Sequence, residues 1–239
     1  MLQQGKKNRV MFFDVETSGL IPSRSDNFMT EPSKLHTYPH ILQLSFILFN
    51  IASRTIESHS DFYIRPPVEV VIPPIVTELT GITREICDEK GVSIMDALAS
   101  FQYAYESCDT IISHNLSFDR SMIQIEQLRN NKHFNKYNPE VLNMFNPIHD
   151  DLKGIQHFCT MKASVDLCNI MVPRKSGNGT YKKWPTLLEL YRHLFSQTPG
   201  NLHNSMVDTL VGLRCYLKVR HDIDLTDSEF EYLMYTSLS

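Results

Sequence analysis

FFDVETSGL, running from Phe12 to Leu20, carries two signals that ordinary strands keep apart. Val10, Met11, Phe12 and Phe13 read as a buried strand, and two carboxylates follow at Asp14 and Glu16. Side chains two apart on a strand face the same way. The two acids therefore stand side by side at the end of a core strand. Like charges that close resist joint ionisation unless a cation lies between them.

The rest of the chain sets limits around that pair. Its 239 residues are enough for a substantial core and read as a single domain, 1–239, with insertions. Hydrophobic residues make up 42% and charged residues 21%, which excludes a disordered chain and a coiled coil. No apolar run approaches the roughly 18 residues of a membrane span. The leading MLQQGKKNRV lacks the apolar core and cleavage site of a secretory signal. The five cysteines, Cys87, Cys108, Cys159, Cys168 and Cys215, are scattered and form no CxxC, as expected of free thiols in a reducing compartment. An intracellular protein, of cytoplasm or nucleus, is expected. The net charge of −4 excludes a histone-like coat on nucleic acid. It does not exclude an enzyme that holds one strand end with local charge and bound cations.

Periodicity supplies the remaining elements. His40–Asn50 and Ser58–Pro66 read as two strands joined by a polar turn, so the early sheet is antiparallel in part. Pro73 and Pro74 break the sheet, and a short helical piece closes at Gly81. Met95–Ser107 and Ser117–Arg129 show the apolar spacing of helices, with the short strand Thr110–Asn115 between them. Residues 130–157 are polar and rich in Asn and His, which reads as an insertion or loop, with His149, Asp150, Asp151 and His157 as solvated side chains. FCTMKASVDLCNI reads as a strand and a helix. The stretch 173–184, with Arg174, Lys175, Lys182 and Lys183 around Gly-Asn-Gly, reads as an exposed loop. Two helices are expected to close the chain, the first with Pro185 in its first turn and the second holding MVDTLVGLRCYLKV.

Three further residues complete a constellation. Asp119 falls about one turn into the helix after TIISHN, and Asp208 falls within the helix after Pro199-Gly200. His203 precedes Asp208 by five residues. On one helix that spacing is a turn of roughly 500°, which separates the two side chains by about 140°. His203 therefore belongs on the loop leading into the helix, from which it can reach the same site.

These segments resemble the DEDDh 3′→5′ exonucleases, of the DnaQ-like or TREX-like type. FDVETSGL resembles their first motif, SHNLSFD the second and HNSMVD the third, in the family's order. LTGIT and KWPTLLELYRHLF resemble the connecting segments. The resemblance implies an α/β, ribonuclease H-like fold with a central mixed five-stranded sheet flanked by helices. It implies two divalent ions, Mg2+ or Mn2+, held by Asp14, Glu16, Asp119 and Asp208, with His203 as general base. Magnesium suits carboxylate oxygens and substrate phosphate. Two such ions roughly 3.5–4 Å apart serve in-line phosphoryl displacement. Histidine titrates near working pH.

The resemblance also implies a substrate face. Thr17, Ser18, Gly19 and Leu20 would wedge against the terminal nucleotide, with Ile82 packing on the same base. His114, Asn115 and Phe118 would line the path of the strand. Stacking on apolar groups tolerates any base. The 3′ end of DNA, single-stranded or frayed, is the expected substrate, with RNA as the alternative. A proofreading subunit working with a polymerase or repair partner, and a non-catalytic binding module, are the other readings. The segment 22–39 is longer than the family's usual link, and 130–157 is a second departure. Oligomeric state is left open.

Overall fold

β1 (Arg9–Thr17) is the middle strand of a five-stranded sheet with the order β3-β2-β1-β4-β5. The computed structural model describes residues 8–22, 32–175, 177–200 and 202–237. Half of the long link at 22–39, residues 23–31 with Arg24 among them, lies outside them; a 3-10 turn forms over Pro32–Thr37. β2 (Ile41–Asn50) runs antiparallel to β1, and β3 (Thr55–Tyr63) antiparallel to β2 across a tight turn. A short connection can join only antiparallel neighbours. β4 (Thr110–Ser113) is reached through the longer crossover of α1 (Pro74–Thr80), α2 (Arg84–Lys90) and α3 (Ile94–Glu106), and it pairs parallel to β1. After α4 (Leu116–Arg129), α5 (Asn131–Tyr137) and α6 (Pro147–Lys153), β5 (Gln156–Cys159) pairs parallel to β4. The sheet is mixed and flanked by helices, as the motifs imply.

Strand alternation divides the core in two. Met11, Phe13 and Val15 face Ala97, Leu98, Phe101 and Tyr105 of α3 and Met122, Ile123 and Ile125 of α4. Val10 and Phe12 join Ile47, Phe49 and Ile112 on the opposite face. Over that face lies α10 (Ser205–His221), which contributes Met206, Leu210, Leu213 and Leu217. By the same alternation Asp14 and Glu16 share the α10 face. Gly212 lets the helix approach closely: a methyl group there would overlap the Phe12 ring.

Several expectations need correction. Residues 130–157 hold α5, a 3-10 turn over Pro139–Asn143 and α6, with Phe134, Val141, Met144 and Phe145 buried. Those apolar positions are too irregularly spaced to reveal a helix in a polar stretch. Asp150 is not solvated: it is 5% exposed, accepts a 2.8 Å hydrogen bond from the Tyr105 hydroxyl and pairs with His157. FCTMKASVDLCNI opens on the end of β5, as expected, but its helix is two separate turns, α7 (Thr160–Ala163) and α8 (Val165–Cys168), and the basic loop after them is a hairpin of β6 (Met171–Pro173) and β7 (Thr180–Lys182). The chain then closes with three helices. α9 (Leu187–Phe195) is capped by Thr186 with Glu189 reciprocating, which leaves Pro185 outside it. After α10 comes the unexpected α11 (Ser228–Ser237), whose Phe230 and Leu233 join the α10-side core.

Candidate active site

Parallel pairing brings the C-terminal ends of β1 and β4 to the same edge of the sheet, where α/β folds bind ligands. Asp14 and Glu16 stand at that end of β1. Asp119 lies in the first turn of α4, four residues after the cap residue Asn115, and is 3% exposed. The Ser113 hydroxyl at the end of β4 donates a hydrogen bond to Asp119 Oδ2. Asp208 occupies the first turn of α10. The Asn204 side chain caps that helix, accepting from the Met206 and Val207 amides at 3.0 and 3.3 Å. His203 sits just outside the helix, as its spacing predicts, in the left-handed region at φ 78°. Its amide donates to Asp208 Oδ2 at 3.2 Å. One ligating atom each of Glu16, His203 and Asp208 fall within 4.8 Å of one another.

A buried polar relay fixes these segments together. The Ser205 hydroxyl donates to the Asp14 carbonyl at 2.7 Å, and its amide donates to Gln43 Oε1 at 3.2 Å. Gln43 Nε2 and the Ser45 hydroxyl both donate to Asp61 Oδ1. Gln43 thus uses both ends of its amide to tie β2 and β3 to the start of α10. Sequence reasoning missed this support. Its signal is the pair of polar residues, two apart, in the otherwise apolar ILQLSFILFN, both fully buried.

Crowded acids with little water around them hold protons tightly. Burial, then the charges of Asp119, Asp208 and Glu16, raise Asp14 well above the ordinary carboxylate range. Burial pushes Glu16 up to about 8, with Asp208 and Asp119 adding to the rise. Asp119 is raised to about 7 by burial, against the hydrogen bond from Ser113. Asp208 is raised to about 7, chiefly by burial. Asp208 Oδ1 is enclosed and has no hydrogen-bond partner. Four hard oxygen donors, mutual repulsion and one orphaned carboxylate oxygen fit a divalent cation.

The residues expected on the substrate face divide. Leu20 is 83% exposed beside the site and open for stacking. Thr17 is turned inward, its hydroxyl donating to the Gly19 carbonyl at 2.7 Å, and Ser18 exchanges two hydrogen bonds with the His40 backbone. Ser18, Gly19 and Leu20 line a groove of about 680 Å³ shared with His36, His40 and Val71. Asn115 is exposed, and Phe118 is partly buried against the core. Ile82 is not on this face. It is 1% exposed and packs with Leu42, Val76 and Cys87, because Gly81, at φ 73°, turns the chain inward; Leu79 is the exposed apolar residue of the segment. His114 has both ring nitrogens engaged: Nε2 donates to the Pro185 carbonyl at 3.1 Å, and Nδ1 accepts from the Thr160 hydroxyl at 3.0 Å. Burial lowers its pKa to about 4.

The sequence model of the RNase_T exonuclease family matches residues 11–216, and the chain belongs to that family. Solved structures similar to it include the nuclease domain of 3'hExo, a DEDDh family member, bound to rAMP. That similarity has 14% identity and a TM-score of 0.57 over 90% of this chain and 92% of the other. Escherichia coli exonuclease I in complex with a dT13 oligonucleotide is similar at 17% identity and a TM-score of 0.54. There the match takes in 94% of this chain but only 43% of exonuclease I. The zinc-bound form of the E. coli enzyme with single-stranded DNA gives 20% identity and a TM-score of 0.54, over 95% of this chain and 43% of that one. No curated protein is significantly similar in sequence. The fold is that of the ribonuclease H-like DEDDh exonucleases, whose members use divalent metal ions. Among the described residues no helix is long and apolar enough to cross a membrane.

Proposed function

We propose that the protein is a metal-dependent 3′→5′ exonuclease that releases nucleoside monophosphates from the 3′ end of DNA, single-stranded or frayed. Residues 1–239 are read as one domain for this purpose. The observation that carries the reading is the convergence of Asp14, Glu16, Asp119 and Asp208 from three separate segments, with His203 beside them. The four acids would hold two ions, Mg2+ or Mn2+. Bound there, the ions supply Lewis-acid stabilisation of charge developing on the phosphate and leaving oxygens. His203 takes the proton from the attacking water as general base. Its position ahead of α10 lets the imidazole approach without unwinding the helix. Leu20 stacks on the terminal base, with Ser18 and Gly19 shaping the groove behind it. Asn115 and Phe118 lie toward the path of the strand. Such contacts select little among bases.

RNA is the second reading, favoured by the rAMP bound in the similar 3'hExo domain. Discrimination would rest on the 2′-hydroxyl. The test is cleavage of 5′-labelled single-stranded DNA and the matching RNA, with magnesium, manganese or EDTA, beside Asp208→Asn. A metal-dependent ladder shortening from the 3′ end and lost in the variant is expected, and the preferred strand names the substrate. Binding without cleavage would indicate a subunit awaiting its polymerase or a silent module.

A further inference from the structure

The hairpin of β6 and β7 is a surface that the catalytic reading does not use. Residues 171–184 carry four cations, Arg174, Lys175, Lys182 and Lys183, and no acid, in a chain whose net charge is −4. The hairpin forms its own two-stranded sheet, apart from the central one. Tyr181 and Trp184 are 43% and 47% exposed, and the Arg174 guanidinium lies 5.8 Å from the centre of the Tyr181 ring. Lys182 pairs with Asp166 at 2.7 Å and Lys183 with Glu189 at 2.6 Å. Exposed pairs of this kind are weak and exchange readily. Among the described residues no carboxylate lies within ion-pair distance of Arg174 or Lys175.

The hairpin is also tied to the acid cluster. The Pro185 carbonyl, next after Trp184, accepts from His114 Nε2 at 3.1 Å. His114 follows Ser113, whose hydroxyl holds Asp119. Two hydrogen bonds and two peptide links thus connect Trp184 to a catalytic carboxylate. His114 is held at both ring nitrogens, by the Pro185 carbonyl and by the Thr160 hydroxyl, so the tie has a fixed ring orientation.

We propose that this hairpin grips the substrate strand on the 5′ side of the scissile linkage. Arg174 and Lys175 contact phosphates, and Tyr181 and Trp184 offer ring faces to the bases. The proposal rests on the exonuclease reading: with the 3′ end among the acids, whatever leaves over this rim is the 5′ portion. Cations around a backbone path with interleaved aromatics are what unspecific single-strand binding requires.

Trp184 is the chain's single tryptophan, so its fluorescence reports the hairpin alone. A dodecanucleotide added in calcium should quench it in the wild type. The double variant Arg174→Ala, Lys175→Ala should lower the salt slope of binding by about 1.4, roughly 0.7 for each phosphate contact on a single strand. The gain in kcat/KM on lengthening a substrate from dinucleotide to dodecanucleotide should shrink in that variant and persist in the charge-keeping Arg174→Lys. A wild type that cleaves but shows no quenching would overturn the proposal, as would a double variant with unchanged slope and length gain. Equal loss on both substrate lengths would overturn it too. A wild type that neither cleaves nor binds would instead overturn the exonuclease reading beneath it.

Discussion

His203 occupies a left-handed backbone position that side-chain-bearing residues seldom adopt. The conformation lets its amide hold Asp208 while its ring lies among the same group of ligating atoms. Such a backbone outlier at a cluster of acids is in keeping with a working role. His203→Ala should slow the chemical step by about 10²- to 10⁴-fold, the usual contribution of a general base. Single-turnover rates beside binding measurements check this; an unchanged chemical step removes His203 from the mechanism. Gln43 acts at one remove. Gln43→Leu strands the Ser205 amide, a buried donor, at a cost of about 1–3 kcal/mol. It should also loosen the first turn of α10, so weaker manganese affinity is expected alongside a lower melting temperature. The places of Asp14 and Glu16 on a strand end, of Asp119 in a first helical turn and of His203 just ahead of the helix holding Asp208 were legible from local spacing; that the three segments meet was implied by the family resemblance. Ile82 was misplaced because a left-handed Gly81 reverses which residue of LTGIT meets solvent, and spacing alone carries no such information.

At the scale of elements, the antiparallel meander was readable from its short connection, and β4 and β5 as short apolar strands of a mixed sheet; their parallel pairing with β1 and with each other was not read. α11 was not read either, because its two anchoring residues, Phe230 and Leu233, stand among the exposed Tyr232 and Tyr235, so that no apolar face separates out. The hairpin of β6 and β7 escaped for a similar reason: three-residue strands are too short to alternate. The contact between α10 and β1 is the one on which the site depends. Gly212→Ala forces a methyl group into the Phe12 ring, and overpacking of that kind costs about 1–3 kcal/mol. Denaturant unfolding should show the loss. If α10 shifts to relieve the overlap, Asp208 moves with it, so manganese affinity should fall as well. Retained stability with full affinity would mean that the ring simply turns aside.

For the whole molecule, four proton-holding acids make stability depend on pH in an unusual direction. Glu16 is raised to about 8, and Asp119 and Asp208 to about 7. The folded chain therefore keeps protons that the unfolded chain has already released. Stability from this source is present at low pH and lost as pH rises through those values. His114, lowered from 6.5 to about 4, works the opposite way, but only below 6.5. Between pH 6.5 and 8, then, the melting temperature in EDTA should fall. Magnesium or manganese should reverse the fall, since ligands of the folded state stabilise it. Asp208→Asn should blunt both the pH response and the rescue while abolishing cleavage. A melting temperature that stays flat or rises across that window would contradict the crowding of these acids.

Asp14 lies near the beginning of the family domain and Asp208 near its end, and they meet only when α10 settles on β1. No partial product of folding or proteolysis that lacks that docking can assemble the full set of acids. Cleavage that needs all four acids would therefore be withheld from a nascent or broken chain in which α10 has not docked on β1. Regain of cleavage during refolding should accordingly lag behind formation of the sheet.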